Sequence, residues 1–144
     1  MNKYAEKKIL LVEDSEVGRY LIQQVLSELG YKNITAPETS VEAWDLIAQT
    51  TLDGNPFDLI LTDLNMPDLD GMDLVLNIKG DKLSENLKII VISAEADPKI
   101  VELLKEIGIE GYFSKPVKKE HFKITLETLF DNKDIDPKHA YNLP

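Results

Sequence analysis

Cysteine is absent from the 144 residues. Disulfides, thiolate nucleophiles and zinc–cysteine centres are therefore excluded. Histidine occurs only as His121 and His139, too few for a histidine-rich metal site. Positive charge is scarce: 16 basic residues face 26 acidic ones, for a formal net charge of −10. Such a chain lacks the basic face that a general nucleic-acid binder needs to release counterions from phosphates. It is also ill suited to an anionic membrane surface. Long apolar runs are missing. Ile9 to Val12 is far too short for a signal-peptide core and stops at Glu13 and Asp14; no segment approaches a membrane span. The expectation is a soluble cytoplasmic protein with no nucleic-acid and no membrane partner.

What remains is ample for folding. Apolar residues make up 43% of the chain, and its length suits one layered domain. Short apolar runs, KILLV at Lys8 to Val12, FDLILT at Phe57 to Thr62 and KIIVI at Lys88 to Ile92, read as strands covered on both faces. Tyr31 to Ala36 is a weaker run closed by Pro37 and suits a sheet edge; Gly111 to Ser114 is a short fifth strand. Between them lie amphipathic stretches. Val17, Leu21, Val25 and Leu29 recur every four residues, and Gly30 stands where a helix would end. Ser40 to about Gln49 and the segment after Gly71 show the same spacing. Asp97-Pro98 resembles an N-cap with proline in the first turn, opening a helix that Gly108 closes. Lys118 to Phe130 is a fifth helix, with His121 near its start and on the surface. Residues 131–144 have little apolar content and are expected to be a loose C-terminal tail after a domain spanning residues 1–130.

Five strands alternating with five helices predict an α/β fold. The expected sheet is open, doubly wound, parallel and five-stranded, with right-handed crossovers. In such sheets ligands bind beyond the carboxyl ends of the strands. The reactive side chains fall there. Glu13 and Asp14 follow the first strand, Asp63 the third, Ser93 the fourth and Lys115 the fifth. Each has a simpler reading: the acids as helix caps, Ser93 as a structural hydroxyl, Lys115 as a solvated charge. Their joint placement favours a pocket. Clustered carboxylates repel one another, and a hard cation relieves that repulsion. Oxygen donors without Cys or His select Mg²⁺, Ca²⁺ or Mn²⁺; Mg²⁺, with few carboxylates plus a phosphate, fits best.

The segments LVEDSE, LTDLNMPDLDG, VISAE and YFSKP, in this order and each at a strand end, resemble the receiver domain of two-component response regulators, over about residues 7–130. The resemblance implies a (βα)5 flavodoxin-like fold with strand order 2-1-3-4-5. It implies that Asp63 accepts a phosphoryl group from the phosphohistidine of a sensor histidine kinase or histidine phosphotransfer protein. Mg²⁺ would be held by Glu13, directly or through water, by Asp14, by Asp63 and by the carbonyl of Asn65. Lys115 would pair with the phosphoryl oxygens, and Ser93 would hydrogen-bond one of them. Tyr112 falls at the family's switch aromatic, and the Lys115-Pro116 bond is expected to be cis. The surface of the fourth helix, fifth strand and fifth helix would meet a downstream protein target. The receiver would not be an enzyme on other substrates, but would catalyse its own phosphorylation and dephosphorylation. Ser93 replaces the more usual threonine and keeps the hydroxyl.

Asn65 and Glu95, each two residues beyond a site residue, resemble the lifetime-tuning pair of chemotaxis-type regulators. Short polar groups there leave a path for water, so a phosphoryl group lost in minutes rather than hours is expected. Starting at Met1, with nothing after the last helix but a short tail, the chain reads as a stand-alone receiver without an output domain, a monomer or weak dimer. An aspartate-nucleophile phosphohydrolase of the haloacid-dehalogenase type is the alternative. It would want a carboxylate where Asn65 stands and its nucleophile after the first strand. A nucleotide-binding module would need a glycine-rich loop where Glu13-Asp14-Ser15 stands.

Overall fold

The computed structural model describes residues 2–64, 71–94 and 97–143. Its centre is a parallel sheet. Strands β1 (Ile9–Val12), β3 (Leu59–Thr62), β4 (Ile89–Ser93) and β5 (Gly111–Ser114) are short, apolar and almost wholly buried. Neighbouring strands align Ile9 with Leu59, Ile60 with Ile89 and Ile90 with Gly111. The expected weak edge strand shrinks to β2 (Ile34–Thr35), paired with Ile9 and Leu10. Tyr31, at the start of that stretch, is instead a buried ring tilted against Phe130.

Alternation along each strand divides the core into two layers. Leu10, Val12, Ile60, Val91 and Tyr112 face one side, against Ala43 and Ile47 of α2 (Ser40–Leu52), Leu74 and Ile78 of α3 (Gly71–Gly80), and Val101 and Leu104 of α4 (Pro98–Ile107). Ile9, Leu11, Leu61, Ile92 and Phe113 face the other, against Ile22 and Leu26 of α1 (Glu16–Glu28) and Phe122 and Leu126 of α5 (Lys119–Phe130). Both faces are covered, which is why the strands carry apolar runs rather than alternating ones.

The helix ends follow local chemistry. Ser15, Thr39 and Asp97 cap α1, α2 and α4 by accepting hydrogen bonds from the backbone N–H groups of Gly18, Glu42 and Lys99. Helix α2 runs past the expected Gln49, so the turn begins at Asp53 and reverses at Gly54, whose φ is +76°.

The tail is not loose. Residues 137–140 form a helical turn, α6 (Pro137–Ala140), and the chain then adds a sixth parallel strand, β6 (Tyr141–Asn142), beside β5. The sheet order is β2-β1-β3-β4-β5-β6, which keeps the expected 2-1-3-4-5 and extends it at one edge. The cause is local: Asp136 caps α6 through the N–H of Lys138, with Pro137 in the first turn, as Asp97 and Pro98 do for α4. Buried Ala140 then anchors the segment. His121 is accordingly half-buried rather than on the surface, 2.6 Å from Asn142 Nδ2 through its Nδ1.

Two glycines separate backbone strain from space. Gly108 ends α4 at φ +100° with open space around the missing side chain; Gly80 ends α3, also with open space, but without a positive φ. We expect Gly108→Ala to lower stability by about 1 kcal/mol and Gly80→Ala to leave it unchanged or raise it by about 0.5 kcal/mol. Urea unfolding of both variants checks this, and equal losses would contradict the backbone argument.

Candidate functional site

The order β2-β1-β3 places the topological switch point between β1 and β3. Each of these strands is followed by an acid. The N–H of Asp63 donates to the carbonyl of Val12 at 3.0 Å, so the ladder holds Asp63 beside the start of Glu13. On the far side, the N–H of Lys115 donates to the carbonyl of Ser93 at 2.9 Å, tying the end of β5 to the end of β4. Thus four strand ends lie side by side at one edge of the sheet.

Lys115 is the clasp. Its Nζ lies 2.7 Å from Glu13 Oε2 and 2.8 Å from Asp63 Oδ2. Glu13 is 2% exposed and Asp63 7%, so these are charge-assisted hydrogen bonds largely removed from water. The second oxygen of Glu13 accepts the N–H of Ser15 at 3.2 Å. Burial pushes the Glu13 carboxyl above its usual value of 4.5; the bond to Lys115 opposes this, and the charge of Asp63 adds to it. For Lys115, burial alone would lower the pKa. The bonds to Asp63 and Glu13 outweigh it and hold the ammonium above its usual 10.5.

Asp14 is exposed, at the rim. Carboxylate oxygens of Glu13, Asp14 and Asp63 all lie within 4.8 Å of one another. Three negative charges there face one lysine. The residual charge and the oxygen-only donors fit a hard divalent cation. Ser93 is fully buried at the end of β4. Tyr112 is likewise fully buried, on the α4 side of the sheet. The Lys115-Pro116 bond is cis, as the resemblance implied. Asn65 and Glu95 lie outside the described residues, so the Asn65 carbonyl ligand and the lifetime-tuning pair have no structural counterpart here.

Further residues build the site and were not singled out in the sequence. Gly18 faces Glu13: a Cβ there would stand 3.1 Å from the Glu13 carboxyl carbon. Gly71 packs against the backbone of Asp63 and Leu64, where a Cβ would collide, and its N–H donates to Leu64 at 2.9 Å. Arg19 donates from Nη1 to the Glu13 carbonyl at 3.0 Å, and the Thr62 hydroxyl to the Asp63 carbonyl at 2.9 Å. A glycine inside a helical pattern, as at position 18, is the one sequence signal that could have pointed to any of these.

With this geometry in view, the comparisons are consistent. The response regulator receiver domain family matches residues 9–127. The chemotaxis protein CheY1 of Helicobacter pylori is 34% identical over 128 residues, covering 88% of this chain and 99% of that protein. The CheY homolog of Campylobacter jejuni is 32% identical, with 83% and 89% covered. Among solved structures, a receiver domain protein of Clostridium thermocellum superposes with a TM-score of 0.75 at 25% identity, over 88% of this chain and 95% of that one. Vibrio cholerae chemotaxis protein CheY4 does so with a TM-score of 0.68 at 26% identity, over 89% and 98%. The chain belongs to the response regulator receiver family.

Removing Lys115 would leave two buried carboxylates facing each other. We expect Lys115→Met to lower stability without added metal by about 3 kcal/mol, and millimolar Mg²⁺ to restore part of it. Denaturant unfolding with and without Mg²⁺ reads both; a variant as stable as the parent would show that the clasp carries no weight.

Proposed function

We propose that this receiver is a phosphorylation switch of a two-component phosphorelay and that Asp63 is its acceptor. The observation that carries this reading is the bridging of Asp63 and Glu13 by Lys115 beside an acidic rim. In the proposed step, an Asp63 carboxylate oxygen attacks the phosphorus of a donor phosphohistidine. The new O–P bond forms as the P–N bond breaks, and the imidazole nitrogen leaves with the electron pair and takes a proton. Lys115, already 2.8 Å from the Asp63 carboxylate, then pairs with the phosphoryl oxygens. Ser93 donates its hydroxyl to one of them.

Glu13, Asp14 and Asp63 would hold Mg²⁺, which supplies neutralising charge for the incoming phosphoryl group. Hydrolysis of the acyl phosphate by water resets the switch, so the only turnover is the chain's own phosphorylation and dephosphorylation. The donor, a sensor histidine kinase or histidine phosphotransfer protein, has apolar surface to dock on beside the site. Val17, Tyr20 and Leu21 are exposed on α1, and Leu21 lines a cleft of about 430 Å³ against Lys115, Pro116 and Val117. Ser93 and Tyr112 serve as the switch pair, and α4, β5 and α5 as the surface offered to a downstream protein. The proposed setting is the cytoplasm; no helix among the described residues is long and apolar enough to cross a membrane. Residues 1–130 would be the receiver proper and 131–144 its C-terminal extension.

Incubation with Mg²⁺ and acetyl phosphate should label the chain once, as a hydroxylamine-sensitive adduct, and Asp63→Asn should abolish it. Label surviving in Asp63→Asn would move the acceptor elsewhere, and turnover of added phosphate esters would favour the phosphohydrolase alternative.

Metal binding should show two further signs. Asp14→Ala should weaken Mg²⁺ binding by tenfold or more, on the order of 1.4 kcal/mol, while raising metal-free stability by relieving like-charge repulsion. Protons should also compete with the cation. Because burial raises Glu13, Mg²⁺ affinity should begin to fall at a pH above the ordinary carboxylate range around 4.5. Calorimetric titration across pH checks both; unchanged affinity in Asp14→Ala would remove that residue from the metal site.

A further inference from the structure

The segment beyond Phe130 lies outside the 9–127 family match, and the structure seats it on the β5 edge. Strand β6 aligns Tyr141 with Tyr112 and Asn142 with Phe113. Its approach depends on Gly111, where a Cβ would fall 2.7 Å from the Ala140 carbonyl oxygen. Ala140 is 3% exposed, so the position admits only a small side chain. Tyr141 slots beside α4, with Lys105 Nζ 4.4 Å from its ring centre and its hydroxyl donating to Ile109 at 3.4 Å. From α5, the buried Thr125 hydroxyl donates to the His139 carbonyl at 2.8 Å, and His121 meets Asn142.

These features make a recognition site: a strand edge that accepts a parallel strand, a pocket for a small residue, a slot for an aromatic ring and polar anchors on both flanking helices. Yet the tail fills it incompletely. Strand β5 pairs with β4 over four residues, from Gly111 to Ser114, whereas among the described residues β6 pairs with only Tyr112 and Phe113. Resting on the reading of α4, β5 and α5 as the surface offered to a downstream protein, we propose that the β5 edge accepts an extended segment of that partner by strand addition, and that residues 137–142 occupy it in cis. The partner segment carries a small residue followed by an aromatic one, in the register of Ala140 and Tyr141. A longer strand would also pair with Ser114, next to Lys115, and so displace the tail by main-chain hydrogen bonding.

The test uses the full chain and a fluorescent peptide with the sequence of residues 134–143. Ala140→Arg in the chain should expel the tail and leave the β5 edge intact. This variant should bind the peptide at least about tenfold more tightly than the parent, whose tail competes at high effective concentration. Adding Gly111→Ala to the variant should abolish binding, as should placing arginine at the position of Ala140 in the peptide. A folded Ala140→Arg chain that binds no better than the parent would overturn the proposal, as would binding indifferent to Gly111→Ala. Should Ala140→Arg fail to fold, hydrogen exchange on the parent decides: excess peptide must speed exchange in residues 137–143, and unchanged exchange would overturn the proposal. A parent chain that sediments as a dimer through this segment would assign the edge to self-association instead, and would also overturn it. None of these readouts involves Asp63, so Asp63→Asn should give the same binding, and a failed phosphorylation test would leave this result standing.

Discussion

Two carboxylates that would repel each other, Glu13 and Asp63, are held together out of water by one ammonium group. Most of the site follows from that requirement. A buried carboxylate survives only with hydrogen-bond partners on both oxygens. Glu13 obtains them from Lys115 and from the N–H of Ser15, the residue that also caps α1. One residue therefore starts the helix and satisfies the acid. Asp63 is set by its backbone: its N–H joins the β1–β3 ladder, the Thr62 hydroxyl meets its carbonyl, and Gly71 leaves the clearance that the Asp63 and Leu64 backbone needs.

Such a site is stable but not at rest electrostatically. Burial and the neighbouring Asp63 charge keep the Glu13 carboxyl above its ordinary range, against the bond to Lys115. Asp14 adds a further negative charge at the rim. The three carboxylates form a cluster of oxygen donors of the kind that could hold a cation. A phosphoryl group on Asp63 would bring new oxygens within reach of the same lysine. The proposed modification would therefore act directly on the ion pair that holds the site together.

Strand β5 links this site to the edge of the sheet. At its end Lys115 holds the acids; in its middle Tyr112 and Phe113 enter opposite core layers; along its outer edge lies β6. One four-residue strand thus borders the acidic site at its end and the C-terminal segment along its outer edge.

Much of this was legible in the amino-acid order. Apolar runs ended by Glu13, Asp63, Ser93 and Lys115 already located the strands and their reactive ends, because fully buried parallel strands require unbroken apolar stretches and expose chemistry only where they stop. The family resemblance of four short segments added the roles now proposed for them. The helix start at Asp97 is readable because capping is local. The tail carries the same Asp-Pro start at Asp136, but its few apolar residues suggest no core of their own. Tertiary structure decided its fate: Ala140 is buried only because β5 presents Gly111 opposite it. In the same way, the clearances at Gly18 and Gly71 and the bridging of Glu13 and Asp63 by Lys115 exist only once distant strands are laid side by side. Local sequence sets which groups a chain can offer, but close approach between residues 52 or 102 positions apart is a property of the folded sheet.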